Sequence, residues 1–343
     1  MNDLLYMEIN LKAIKANIQS IVAQTKKNII PVIKSNAYGL GDIEIMSLID
    51  ELNLDYAAVV DMSEAKRLLD YNPNFRILIL NSLQKEDIPY LIKYPSLTIT
   101  INEIKDIRLL NEVSLQRKIK VHLQIDTGMN RLGLKDESEY LKTLELIKSN
   151  PNIEIEGIYT HFTGPENRIN QEQKFVNFVK AYPYQIIHVA ASSTCRLSSV
   201  GNYVRVGMDI YGSGEKKDVK QAIKVACRPL KIQSIKAGET IGYDQEFLAT
   251  KDMLVAVLPI GYRNGFRRSL HGFPVLVNGK RYSTIGIVCM NHLFVKVDED
   301  VNLDSEFIIT SSELPVSEIA EYLGTVPHEV LCMLRIEKKV YIK

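Results

Sequence analysis

The run Ile29-Ile30-Pro31-Val32-Ile33 has the apolar character of a buried strand, yet it ends in a lysine, and Ser35, Asn36, Ala37, Tyr38, Gly39, Leu40 and Gly41 follow at once. A buried ammonium is costly unless it is paired, hydrogen-bonded or chemically altered. Lys34 therefore either lies just past the buried stretch or has a covalent role. Other chemically able residues stand at the ends of apolar runs in the same way: Asp126 to Arg131, His161, Ser192, and Arg205 with Gly207. Such a set offers an amine nucleophile, guanidinium groups for anions, an imidazole, and a hydroxyl with glycine backbone able to meet a phosphate.

Their spacing follows from the elements that carry them. Apolar runs bounded by turn residues occur at 29–33, 56–60, 77–80, 97–101, 119–125, 156–160, 186–190 and 203–206, with mostly amphipathic, helix-like segments between them. Parallel neighbours need a crossover connection, so the alternation predicts βαβ units. Eight units in this length fit a closed (β/α)8 TIM barrel over residues 10–222 better than an open sheet. Barrel active sites form at the C-terminal ends of the strands, which brings Lys34, Tyr38, Arg131, His161, Ser192, Arg205 and Gly207 to one mouth. A lysine there, with a serine and glycines after the seventh and eighth strands where barrels often bind phosphate, points to a phosphorylated cofactor held as a Schiff base. Pyridoxal 5'-phosphate is the cofactor whose chemistry needs that lysine.

The texture changes near Cys227. Segments 230–243, 252–262, 273–288 and 292–297 are strand-like, and Asn278-Gly279 is a pair favoured in tight hairpin turns. The fold class expected is α/β, a TIM barrel followed by a mostly β domain over residues 223–343, which residues 1–9 join and a short helix around Val316 to Tyr322 closes.

Composition agrees with a globular, two-domain chain: 343 residues, 46% hydrophobic, with a formal net charge of +1. That balance carries no footprint for nucleic acid or a membrane. The start of the chain lacks a basic segment followed by an apolar core, and no apolar stretch approaches the roughly 20 residues that span a bilayer. Cys195, Cys227, Cys289 and Cys332 are far apart without CxxC spacing, which predicts reduced, buried cysteines in a cytoplasmic protein and no metal site.

Eight segments in order carry a resemblance over nearly the whole chain: VIKSNAYGLG at 32–41, IDTGMNRLG at 125–133, THF at 160–162, HVAASS at 188–193, VRVGMDIYG at 204–212, IGYDQEF at 241–247, LPIGYRNGF at 258–266 and IGIVCMN at 285–291. The sequence resembles the alanine racemases, fold-type III pyridoxal phosphate enzymes. The resemblance implies that Lys34 forms the Schiff base with the cofactor and serves as one acid/base, and that Tyr243 serves as the other on the opposite face, supplied by the second subunit of a homodimer. It implies that Arg205 faces the pyridine nitrogen with His161 hydrogen-bonded to it. Tyr38, Ser192, Gly207 and Met208 would contact the phosphate, Arg131 and Met290 the substrate, and Tyr262 the entry channel.

Four positions depart from the family pattern. Gln124 stands where most members carry a lysine that becomes carbamylated, Asn291 replaces an aspartate, Ala191 an asparagine, and His328 a tyrosine beside the phosphate and the catalytic tyrosine. A bound chloride near Arg131 and Gln124 is expected to supply the missing negative charge. These departures touch the substrate rather than the reaction, so a serine or broad-specificity racemase stands as an alternative to an alanine racemase. A non-catalytic pyridoxal phosphate carrier shares the barrel and the lysine but lacks a β domain, and a decarboxylase of this fold type is disfavoured by Arg205.

Overall fold

The computed structural model describes residues 4–112, 117–213, 216 and 218–343. The chain divides into two compact units, one made of Ile18–Ala37 and Gly41–Ile210, the other of Met1–Asn17, Tyr38–Leu40 and Tyr211–Lys343.

Strand β1 (Leu5–Asn10) belongs to the second unit, and the barrel strands follow: β2 (Asn28–Pro31), β3 (Tyr56–Val59), β4 (Arg76–Ile79), β5 (Leu97–Ile101), β6 (Ile119–Ile125), β7 (Ile153–Thr160), β8 (Ile186–His188) and β9 (Tyr203–Val206). They pair in parallel in the order β2-β9-β8-β7-β6-β5-β4-β3. A bridge between Val32 and Ala58, with the Ile33 N–H donating to the Ala58 carbonyl at 2.9 Å, draws β2 and β3 together. Strands buried on both faces read as near-continuous Ile/Val/Leu runs, which is why periodicity finds them. Two of the helices between them begin on side-chain caps, at Asp61, which accepts the Glu64 N–H at 3.1 Å, and at Asp136, which accepts the Glu139 N–H at 2.9 Å.

The eight-stranded α/β barrel and the mostly β region after it are as expected from the sequence, with local differences. Strand β7 starts at Ile153, ahead of the run that begins at Glu156, because Glu154 and Glu156 interrupt the apolar pattern. Its pairing with β6 slips between Val121 and His122: Val121 faces Ile155 and His122 faces Gly157, leaving Glu156 as the extra residue of a bulge. Inside the barrel, Ile30, Val32, Ala58 and Leu78 form an apolar cluster with Tyr56, while Thr98, Thr100, His122, Gln124, His188 and Arg205 are buried polar residues of strands β5 to β9.

The second unit is built on a nine-stranded sheet. Strand β1 lies between β10 (Ile223–Cys227), antiparallel to it, and the last strand, Lys339–Ile342, parallel to it. Strands Pro274–Val277 and Lys280–Ile285 form a hairpin whose turn residues Asn278 and Gly279 both adopt positive φ, 51° and 76°. The helix Val316–Tyr322 is present, and a further helix, Pro327–Met333, follows it.

Cys195 and Cys227 are buried as expected, but Cys289 is only half-buried and Cys332 is exposed. Burial was assigned from residue type, and Cys332 lies on the solvent side of a short helix whose inward residues are Val330 and Leu331.

Candidate active site

Lys34 follows β2 and opens a turn of the wrong hand. Ser35, Asn36, Ala37 and Tyr38 have φ of 53°, 55°, 51° and 58°, and Gly39 and Gly41 have 87° and 111°. Left-handed conformation costs about 1–2 kcal/mol for each residue with a Cβ, so the surroundings must hold this segment. The Glu64 carboxylate does so: Oε1 accepts the Ser35 N–H at 2.6 Å and Oε2 the Val60 N–H at 2.8 Å. Asn36 Oδ1 accepts the Asp42 N–H at 3.0 Å. Lys34 is thereby presented half-buried at the strand end rather than continuing into a helix.

Arg131 is carried on the loop after β6. Asp126 Oδ1 accepts the N–H groups of Gly128 at 2.9 Å and Asn130 at 3.0 Å, and Leu134 returns to β6 with its N–H on the Gln124 carbonyl at 2.8 Å. Gly133, at φ 119°, lies against Gln124, where a Cβ would sit 2.8 Å from the Asp126 nitrogen. The Gln124 amide donates one N–H to the Leu132 carbonyl at 2.9 Å, and Arg131 itself is exposed in this chain.

Arg205, on β9, is 3% exposed. Its Nη1 donates to the His188 carbonyl at 2.6 Å and meets His188 Nδ1 at 2.7 Å, and its Nη2 donates to the Thr160 carbonyl at 2.7 Å. His161 Nδ1 is farther from Nη2, at 3.4 Å. The guanidinium also lies 4.5 Å from the Tyr159 ring centre, and that ring stacks on His188. Burial, then Arg131, brings the Arg205 pKa down to about 10, which leaves it a cation at neutral pH.

His161 reports on the charges around it. Burial first, then Arg205, Arg131 and Lys34, push its pKa down to about 3, so the imidazole is neutral. The charges that lower it, those of Arg205, Arg131 and Lys34, are all positive. The structure thus brings Lys34, Arg131, His161 and Arg205 to one end of the barrel.

Ser192 and the β9 end lie together. The Asp209 N–H reaches Ser192 Oγ at 3.3 Å, an ion pair at 2.6 Å between half-buried Arg196 and buried Asp209 anchors the following turn, and the Ile210 N–H donates to the Gly207 carbonyl at 3.1 Å ahead of Met208–Tyr211.

The remaining expected residues belong to the second unit. Tyr38 packs against Tyr211 with ring centres 5.6 Å apart, and burial pushes its hydroxyl up to about 12. Tyr243 opens a short turn and is 64% exposed; Tyr262 and Met290 are 43% and 52% exposed. The Tyr262 N–H donates to the Cys289 carbonyl at 3.1 Å and the Arg263 N–H to the Met290 carbonyl at 3.0 Å, a join that needs Gly261, where a Cβ would meet the Cys289 oxygen at 2.3 Å. His328 and Asn291 are exposed.

Sequence reasoning singled out neither Glu64, which clamps the Lys34 turn, nor His188, nor Tyr159. A histidine inside an otherwise apolar strand, two residues before its run ends, was a usable signal for His188. Glu64 had none, since its partners are backbone N–H groups.

Family models match the chain in two parts: alanine racemase, N-terminal domain, over residues 9–215, and alanine racemase, C-terminal domain, over residues 222–341. The alanine racemase of Staphylococcus epidermidis is 32% identical over 358 residues, covering 96% of this chain and 92% of that protein. Among solved structures, the alanine racemase of Clostridium difficile 630 superposes with a TM-score of 0.92 at 28% identity, covering 100% of this chain and 96% of that one. That of Bartonella henselae, with covalently bound pyridoxal phosphate, does so with a TM-score of 0.88 at 25% identity, covering 99% of each. With both domains matched in order, and a relative alike along almost its full length, the chain belongs to the alanine racemase family and is an isomerase.

Proposed function

We propose that this chain interconverts L- and D-alanine with pyridoxal phosphate, using Lys34 and Tyr243 as two bases on opposite faces of the substrate. The observation that carries the reading is the cationic barrel end: Lys34, Arg131 and Arg205 all act on the neutral His161. Such a site suits a ligand that brings a phosphate and an amino acid that brings a carboxylate, so the donor set fits the cofactor.

Pyridoxal phosphate, when bound, draws electrons from the amino acid and makes its α-hydrogen acidic. Lys34 would hold the cofactor covalently, and its amine, when free and neutral, would take or return a proton at the substrate α-carbon. One base on one face would only return the proton with retention. The partner subunit's Tyr243 supplies the other face in a homodimer, which agrees with an aromatic ring left largely exposed within its own chain. Arg205, held by the His188 and Thr160 carbonyls and by His188 Nδ1, would meet the cofactor's ring nitrogen; a guanidinium that keeps its proton would leave that nitrogen unprotonated, which disfavours transamination. Ser192, the backbone at Gly207 and Met208, and Tyr38 would hold the phosphate, with His328 beside it. Arg131 orients the substrate carboxylate, Met290 borders its side chain, and Tyr262 lines the way in. A chloride beside Arg131 supplies the negative partner that the neutral Gln124 lacks. Four free cysteines suit the reducing cytoplasm.

A second reading, a racemase that also accepts serine, is favoured by the neutral Gln124 and by His328, at positions where the family pattern has other residues.

The test is chemical. Borohydride reduction of the holoprotein should fix the cofactor on the peptide containing Lys34, and Lys34→Ala should lose both the visible absorbance and the conversion of L-alanine to D-alanine. A reduced adduct on any other lysine removes the assignment.

A further inference from the structure

A chain of buried side chains runs inward from Arg205. His188 Nε2 lies 2.8 Å from His122 Nδ1, and His122 Nε2 lies 3.3 Å from Glu156 Oε2. His122 and His188 are fully buried, and Glu156 is 4% exposed. Lys120 and Tyr56 donate to the same carboxylate, and Arg76 Nε donates to the Tyr56 hydroxyl at 3.0 Å.

Donor chemistry permits one arrangement of protons along it. A guanidinium only donates, so His188 Nδ1 must accept from Arg205 and carry its own proton on Nε2. That Nε2–H donates to His122 Nδ1, so the proton of His122 is also on Nε2, facing a carboxylate that only accepts. A second proton on either ring would set donor against donor. Burial accordingly holds both imidazoles below the usual histidine range, His188 well below it. Burial works to raise the Glu156 carboxyl, but hydrogen bonds from His122, Lys120 and Tyr56 hold it down to about 2.

The backbone is shaped for this chain. The bulge that makes Glu156 the extra residue of β7 turns its side chain toward the barrel interior. At Gly157 a Cβ would sit 2.9 Å from three atoms of the His122 ring, so the imidazole fits only against a glycine.

We propose that Glu156 is a positioning residue for Arg205, acting through His122 and His188: it fixes both tautomers so that His188 offers a lone pair to the guanidinium. The inference rests on the reading above only in what Arg205 faces.

Glu156→Gln is nearly isosteric and discriminates sharply. Lys120 only donates, so the new amide turns its oxygen to Lys120 and its N–H to His122. Both histidines then move their protons to Nδ1, and His188 points an N–H at Arg205. In holoenzyme labelled with 15N-histidine, the imidazole nitrogen shifts should report Nε2–H for both buried histidines in the parent and Nδ1–H for both in Glu156→Gln. Alongside, kcat should fall at least tenfold with KM within twofold, and Glu156→Asp, which keeps the carboxylate, should restore the parental tautomers. Nδ1 protonation of either residue in the parent overturns the proposal without any variant. So do unchanged tautomers in Glu156→Gln, whatever its activity, and inverted tautomers with unchanged kcat. Absence of racemisation in the parent would remove the proposed reaction yet leave the tautomer result standing, so the two failures are separable.

Discussion

Arg205 Nη1 lies 2.7 Å from His188 Nδ1, whereas Arg205 Nη2 lies 3.4 Å from His161 Nδ1. The guanidinium thus meets two imidazoles: the contact to His161 that the family resemblance implies is the longer, and the shorter is to His188 on the neighbouring strand. The physical reason is placement. His188 is the last residue of β8, in register beside β9, and is held by stacking on Tyr159 with ring centres 4.5 Å apart. His161 lies past the end of β7, where the backbone is leaving the sheet.

That packing makes Gly157 sensitive. Gly157→Ala places a methyl 2.9 Å from the His122 ring, and neither strand backbone can yield freely inside a closed barrel. Urea unfolding should show a loss of about 1–3 kcal/mol, the usual cost of overpacking a core. A loss below about 0.5 kcal/mol, within the scatter of neutral surface changes, would mean that the ring is not confined.

Acid should weaken the fold in two overlapping windows. His161 has a folded pKa of about 3 against an ordinary value of 6.5, so between those pH values the unfolded chain binds the proton and the folded one does not. Stability therefore falls as pH drops from 6.5 toward 3. Glu156, held at about 2 against 4.5, contributes stability that is complete above 4.5 and lost as pH falls through about 2. In cofactor-free protein the urea midpoint should drop between pH 6.5 and 4.5, and His161→Gln should shrink that drop. An equal drop in the variant would show that His161 does not titrate as its cationic surroundings require.

The barrel was legible because its strands are buried on both faces and separated by amphipathic segments, and the expected residues at strand ends were legible because barrel topology gathers them. What stayed hidden was side-chain geometry that depends on register. Glu156 looked like the polar start of an apolar run, since nothing in one sequence announces a bulge that turns a carboxylate inward. The left-handed turn after Lys34 was only hinted at by Gly39 and Gly41, because Ser35 to Tyr38 carry no residue type that requires positive φ. The helix Pro327–Met333 opens on a proline, which reads in a sequence as a break as readily as a helix start, so it stayed hidden where the equally short Val316–Tyr322 did not.

Substrate choice should respond to His328. If this position shapes the pocket, wild-type protein accepts L-serine appreciably, and His328→Tyr raises the ratio of kcat/KM for L-alanine over L-serine at least fivefold, within the roughly 1–3 kcal/mol that one small group commands in such pockets. Strong alanine preference in the wild type, unchanged by the substitution, would leave a plain alanine racemase and remove the specificity argument.

The two-base account is tested most directly by Tyr243→Phe in deuterium oxide, with each alanine enantiomer supplied separately and both isotope content and handedness followed. The account predicts that net racemisation stops while Lys34 continues to wash deuterium into one enantiomer with its configuration retained. Racemisation at the parental rate, or equal deuterium uptake by both enantiomers, would contradict it.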